Sequence, residues 1–185
     1  SAASDVYKRQ LSEFALSRRV PEYVGHSKRI HQDDLDCRAG KCPEPIQKVL
    51  NQVGATTENT SFGSCVFANR PGDGSAREQA ASCQKVLGGD ANICYEYATK
   101  RYRSNCINWG MLPFLMKDPA VLDNGDYVYL PGVRKALLNA DDKLTAIAVK
   151  PDGGVVRFTV SLGAMTDAER QILADGCLIN YYKNH

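Results

Sequence analysis

The sequence has no C-x-x-C pair, no apolar run of bilayer length, one tryptophan and three histidines. Each shortage closes a class of function. Zinc and iron–sulfur sites ordinarily use paired, closely spaced cysteines. Here the seven cysteines (Cys37, Cys42, Cys65, Cys83, Cys94, Cys106 and Cys177) are scattered among apolar segments. An odd, scattered set reads as reduced, mostly buried thiols of an intracellular protein. Only Cys37-x4-Cys42 comes near a ligand spacing, so no metal site is assigned. Charge is equally muted: the net value is +2, with acidic and basic residues interspersed. That balance argues against a nucleic-acid or membrane-surface partner. Tyr97–Trp109 is basic, with Lys100, Arg101 and Arg103, but too short to serve as a nucleic-acid stripe. Without a charged start followed by an apolar block, nothing marks a secretory signal. These features predict a cytoplasmic protein, with a mitochondrial location open. A length of 185 residues fits one domain around one core.

What the chain does have is concentrated between Ser64 and Ala81. Ser64-Cys65-Val66-Phe67-Ala68-Asn69 is a short run of strand formers. Gly72-Asp73-Gly74-Ser75-Ala76-Arg77-Glu78-Gln79-Ala80-Ala81 then places two glycines and a serine ahead of strong helix formers. The pattern predicts strand, glycine loop and helix N-terminus. Such a loop turns bare backbone N–H groups toward whatever it holds, and the helix dipole favours an anion there. Arg77 adds a planar fork of donors suited to carboxylate or phosphate. A second reading fits the same letters. Ser75-x-x-Glu78 is a capping box, in which the hydroxyl does no more than satisfy a helix N–H. Thr166-x-x-Glu169 repeats that box without glycines or an arginine.

The remaining elements are read from periodicity. Leu11–Arg19 predicts a short helix, and Gly25–Gly40 a polar surface loop carrying His26, His31, Arg38 and the acidic residues Asp33, Asp34 and Asp36. Pro43–Val53 predicts a helix with Ile46, Val49, Leu50 and Val53 on one face and Gly54 as its C-cap. Ala76–Leu87 is helical, Ala91–Tyr95 a buried strand, and Tyr97–Trp109 a helix ended by Leu112-Pro113-Phe114. Tyr127–Leu130 is a short strand. Leu144–Lys150 and Val155–Ser161 flank the turn Pro151-Asp152-Gly153-Gly154, a strong hairpin signal. A capped helix at Thr166–Asp175 and a closing segment at Leu178–Tyr182 follow. Early alternation and a late hairpin predict a mixed α/β domain.

Gly74-Ser75-Ala76-Arg77-Glu78-Gln79-Ala80 resembles the glycine-serine-serine-arginine-glutamate-histidine-alanine signature of the aconitase family, which lies in that family's mobile swivel domain. Asn105 followed by Gly110-Met111-Leu112-Pro113 resembles the family's asparagine and glycine-leucine-leucine-proline segment. The tail from Leu144 to Tyr182 resembles its closing hairpin and helix. The resemblance implies a single mixed-sheet swivel domain of the aconitase and isopropylmalate isomerase type at 11–185, with its core at 64–182. It implies dehydration and hydration of a hydroxy di- or tricarboxylic acid, with Ser75 as the base and Arg77 on a substrate carboxylate. Gly74 and Ala76 would offer backbone N–H groups, and Arg38 is the candidate for a further substrate arginine. Ala76 replaces the family's second serine and Gln79 its histidine, so a substrate other than citrate fits at least as well.

The family's four-iron four-sulfur cluster is held elsewhere, and this chain is expected to bind no cofactor itself. The resemblance therefore implies cluster-bearing aconitase domains as partner, either in the same full-length chain or as a large subunit of the isopropylmalate or homoaconitate type. The chain alone would be inactive. A non-catalytic carboxylate-binding module is the remaining alternative. Residues 1–10, Ser1 to Gln10, resemble an in-frame translation of a sequencing-library adapter and are expected to be a non-native scar. The natural chain is expected to continue upstream.

Overall fold

A computed structural model describes residues 12, 16, 19–118 and 121–185. Segment 1–10 and most of the helix expected at Leu11–Arg19 lie outside the described residues. The first described helix, α1 (Tyr23–Arg38), corrects the expectation of a loop at Gly25–Gly40. Its inward residues are Tyr23, Ser27, Asp34 and Cys37. They recur at helical spacing, but most are small or polar, so no apolar stripe announces the helix. The inward polar groups of Ser27 and Asp34 are both occupied. Ser27 bonds the Ser64 hydroxyl at 2.6 Å and donates to the Leu87 carbonyl at 3.0 Å. Asp34 accepts the Phe62 N–H at 2.9 Å.

Cys37 and Cys42 form a disulfide, which corrects the expectation of uniformly reduced thiols and removes this pair as a metal candidate. The turn that ends α1, with Gly40 at φ +79°, brings the two sulfurs together. The bridge joins α1 to α2 (Glu44–Val53), whose Ile46 and Leu50 pack with Cys37 and Ala55 in a small core. Gly54 closes α2 in the left-handed region at φ +71°, as its position predicts.

Among the described residues, six strands form one mixed sheet in the order β1-β2-β3-β6-β5-β4. β1 (Ser64–Ala68), β2 (Gly89–Cys94) and β3 (Leu112–Met116) run parallel. They are linked by α3 (Arg77–Val86) and α4 (Lys100–Asn108), as parallel neighbours require a crossover. β4 (Tyr127–Tyr129), β5 (Lys143–Val149) and β6 (Val155–Ser161) are antiparallel, with β6 lying against β3. The expected hairpin thus forms, and Asp152 braces its turn by accepting the Gly154 N–H at 2.8 Å.

Leu112-Pro113-Phe114 does not end a helix; it is central strand. Pro113 pairs with β2, while the β6 pairing covers only Leu115 and Met116. A proline is tolerated where one flank of the ladder is open. The main core collects Ile93, Phe114, Ala146, Ala148, Phe158 and Val160 from the strands with Ile107 of α4. Leu137 of α5 (Val133–Asn139) and Ile172 and Leu173 of α6 (Asp167–Ala174) complete it. The chain closes in α7 (Leu178–Asn184). A side chain at Gly110 would collide with the Gly176 carbonyl, so the Gly110–Pro113 motif is explained by close packing of α4's end against the end of α6.

Candidate functional site

The loop leaving β1 is held by the loop leaving β2. The Glu96 N–H donates to the Asn69 carbonyl at 3.2 Å and the Ala98 N–H to the Pro71 carbonyl at 2.9 Å. The Thr99 hydroxyl then donates to the Gly72 carbonyl at 3.1 Å. These contacts prolong the parallel pairing beyond the strands and carry the chain to the serine. Gly72 sits at φ +96°, and a Cβ there would lie 2.5 Å from the Tyr102 side chain. Both the backbone angle and the space therefore demand glycine. At Gly74 a Cβ would meet nothing within 4 Å, so the main chain beside Ser75 is open.

α3 begins at Arg77 with Ala76 as its N-cap, and no side chain caps it. Ser75 is exposed, and its hydroxyl has no partner among the described residues. Arg77 Nε donates to the Gly72 carbonyl at 3.3 Å, which leaves its terminal nitrogens for a ligand. Glu78, the other half of the expected box, accepts the Trp109 indole N–H at 3.1 Å instead. The capping reading of Ser75 therefore fails in the fold. The free hydroxyl, the uncapped amides of the first turn and the outer edge of Arg77 share the C-terminal end of β1. That is the end of a parallel strand where ligands of open α/β sheets collect.

Beneath the loop lies a buried polar network. Gln84 donates to the Asn92 side chain at 2.6 Å, and Asn92 donates to the Tyr102 hydroxyl at 3.1 Å and the Cys106 sulfur at 3.5 Å. Burial pushes both the Cys106 and the Cys94 thiol up to about 11, and it raises the Tyr102 phenol as well. At neutral pH these groups keep their protons. They form a neutral, hydrogen-bonded floor with no thiolate to serve as nucleophile or ligand. Among the described residues, no three His, Cys, Asp or Glu side chains converge to hold a metal ion. No described helix is long and apolar enough to cross a membrane.

Arg38 is not brought to this site. It ends α1 in an ion pair with Asp34 at 2.8 Å, and Asp34 in turn holds the N–H of Phe62. Phe62 precedes β1, whereas the serine loop follows it, so Arg38 and Ser75 belong to opposite ends of that strand. Sequence reasoning missed Thr99 and Tyr102, which were absorbed into a helix begun at Tyr97. A threonine directly before the basic, helix-forming run is an N-cap signal and could have drawn notice.

Residues 48–119 match the aconitase C-terminal domain. That segment, under half of the chain, is similar to the aconitase family's C-terminal domain. It runs from α2 through β3 and so contains the serine loop, the Thr99 ladder and the floor beneath them. The hairpin β5–β6 and α6 lie beyond the matched residues. No curated protein matches the chain. A solved structure, 3-isopropylmalate dehydratase from Methanocaldococcus jannaschii, is 26% identical over 69% of this chain and 68% of that one, with a TM-score of 0.43. A superposition that loose does not carry residue positions from one chain to the other.

Proposed function

We propose that this chain is the swivel part of a hydro-lyase that dehydrates and hydrates a hydroxy di- or tricarboxylic acid. Ser75 is its base and Arg77 its carboxylate clamp. One observation carries the reading: within the aconitase-type segment, a serine hydroxyl stands exposed at an uncapped helix start, with no partner among the described residues. An alkoxide is expensive at neutral pH, so the base needs positive potential around it. The free amides and dipole of α3 supply part of that potential, and Arg77 supplies more. The Arg77 fork holds a substrate carboxylate, which orients the adjacent C–H toward the serine oxygen. The main chain at Gly74 and Ala76 has room to donate N–H bonds to the same anion. Arg38, paired with Asp34, is left outside this assignment.

Among the described residues no three His, Cys, Asp or Glu side chains converge, Cys37 and Cys42 are bonded to each other, and burial keeps Cys94 and Cys106 protonated, which supports a cluster held outside this chain. In this proposal the cluster belongs to the partner part, upstream in the same chain or on a separate large subunit.

The test is Ser75→Ala in the enzyme reassembled with its cluster-bearing part, following formation of the enoic acid. Dehydration is expected to stop while the cluster spectrum stays unchanged. Turnover at the parent rate would remove the base assignment and leave a carboxylate-binding module.

A further inference from the structure

We propose that Thr99 is the positioning residue of the serine loop, setting where Ser75 stands relative to the start of α3. The Thr99 side chain does two jobs at once. Its oxygen accepts the Tyr102 N–H at 3.2 Å and so caps α4, and its proton goes to the Gly72 carbonyl at 3.1 Å. That carbonyl also receives Arg77 Nε, so both of its lone pairs are used. Below it, the Tyr102 ring fills the space a side chain at Gly72 would need, which blocks movement toward the floor. Only Asp73 and Gly74 separate this pinned carbonyl from Ser75, and a shift at Gly72 passes directly to the hydroxyl. Among the described residues, Thr99 is the one side chain outside α3 that hydrogen-bonds to 72–76. The other ties between the two loops join Asn69 and Pro71 to backbone N–H groups and lie further from the serine.

Capping and positioning can be separated because they use different halves of the hydroxyl. Serine at 99 keeps both. Aspartate keeps the acceptor that caps α4 but has no proton for Gly72. Valine keeps neither. The experiment compares Thr99→Ser, Thr99→Asp and Thr99→Val in the full chain by three readouts. Exchange protection of the Tyr102 amide reports the cap. Backbone order parameters at Gly74 and Ser75 report the loop. Turnover after reassembly with the cluster-bearing part reports function, and this last readout rests on the function proposed above.

Thr99→Ser is expected to match the parent throughout. Thr99→Asp is expected to keep Tyr102 protected while order at Gly74 and Ser75 falls from the rigid range toward about 0.6. Its turnover is expected to drop roughly 10- to 100-fold with KM little changed, as for a misplaced reacting group. Unchanged loop order in Thr99→Asp overturns the proposal, whatever the kinetics. So does a loosened loop with parent-like turnover, provided Ser75→Ala is inactive in the same preparation. Were Ser75→Ala fully active, the base reading would fall, and the order parameters alone would still decide whether Thr99 sets the loop.

Discussion

Two helices of this chain begin with the same local signal and are built differently. At α6 the box closes: Thr166 accepts the Glu169 N–H at 3.2 Å, and Glu169 accepts the Thr166 N–H at 2.9 Å. At α3 the spacing is the same, yet Ser75 caps nothing and Glu78 is held by Trp109. The difference comes from competition. Among the described residues the Glu169 carboxylate is bonded only within its own box, so the nearest donors win. At α3, Thr99 and Arg77 hold the Gly72 carbonyl, and Trp109 draws Glu78 aside. An open N-terminus forgoes about 1 kcal/mol of capping energy. In return the first-turn amides and the serine hydroxyl remain free for a ligand, the kind of local sacrifice that functional sites show.

That contrast can be broken in graded ways. The largest effect is expected from Ser75→Ala: a loss of turnover on the order of 10²- to 10⁴-fold, the usual contribution of a general base. Its thermal unfolding should shift little, since an exposed, unbonded side chain contributes within about 0.5 kcal/mol. A marked drop in melting temperature would mean that the serine caps α3 in solution. Arg77→Lys comes next. Lysine cannot grip the Gly72 carbonyl and offer a fork to a carboxylate together. Losing a charged hydrogen bond of about 1.5–3 kcal/mol lowers kcat/KM roughly 10- to 100-fold. Steady-state kinetics would expose an error here if the two enzymes proved equal.

Thr166→Ala is expected to invert the pattern: about 1 kcal/mol less stable in denaturant melts, with turnover unaffected. Smallest of all is Glu78→Ala, which removes an exposed hydrogen bond but no cap and should cost a few tenths of a kcal/mol. Glu169→Ala, which opens a closed box, should cost more. Equal costs for the two glutamates would show that both boxes close, and the comparison would lose its basis.

Legibility varied with the kind of interaction involved. The hairpin β5–β6 was readable because alternation and a Pro-Asp-Gly-Gly turn are local. Helix α2 was readable because Ile46, Val49, Leu50 and Val53 recur at helical spacing. Helix α1 was not, since its buried face carries Ser27 and Asp34, whose partners Ser64, Leu87 and Phe62 are distant in sequence. Nor was the Cys37–Cys42 bridge, because five residues of spacing do not say whether a turn will bring the two thiols together. Strand β3 was misread because Pro113 marks an interruption only until one knows that β6 leaves it unpaired.

The order Gly72 to Arg77 by itself determined that a serine would stand at a glycine loop before a helix, since turn freedom and helix propensity are properties of neighbouring residues. Whether that serine would cap or stay free was undecided at that level, because both outcomes use the same atoms. Tertiary contacts decided it: Thr99, Tyr102 and Trp109, all from the segment after β2, set the Gly72 carbonyl and removed Glu78 from competition. Hydrogen-bond donors choose among acceptors by distance, and only the folded chain sets those distances.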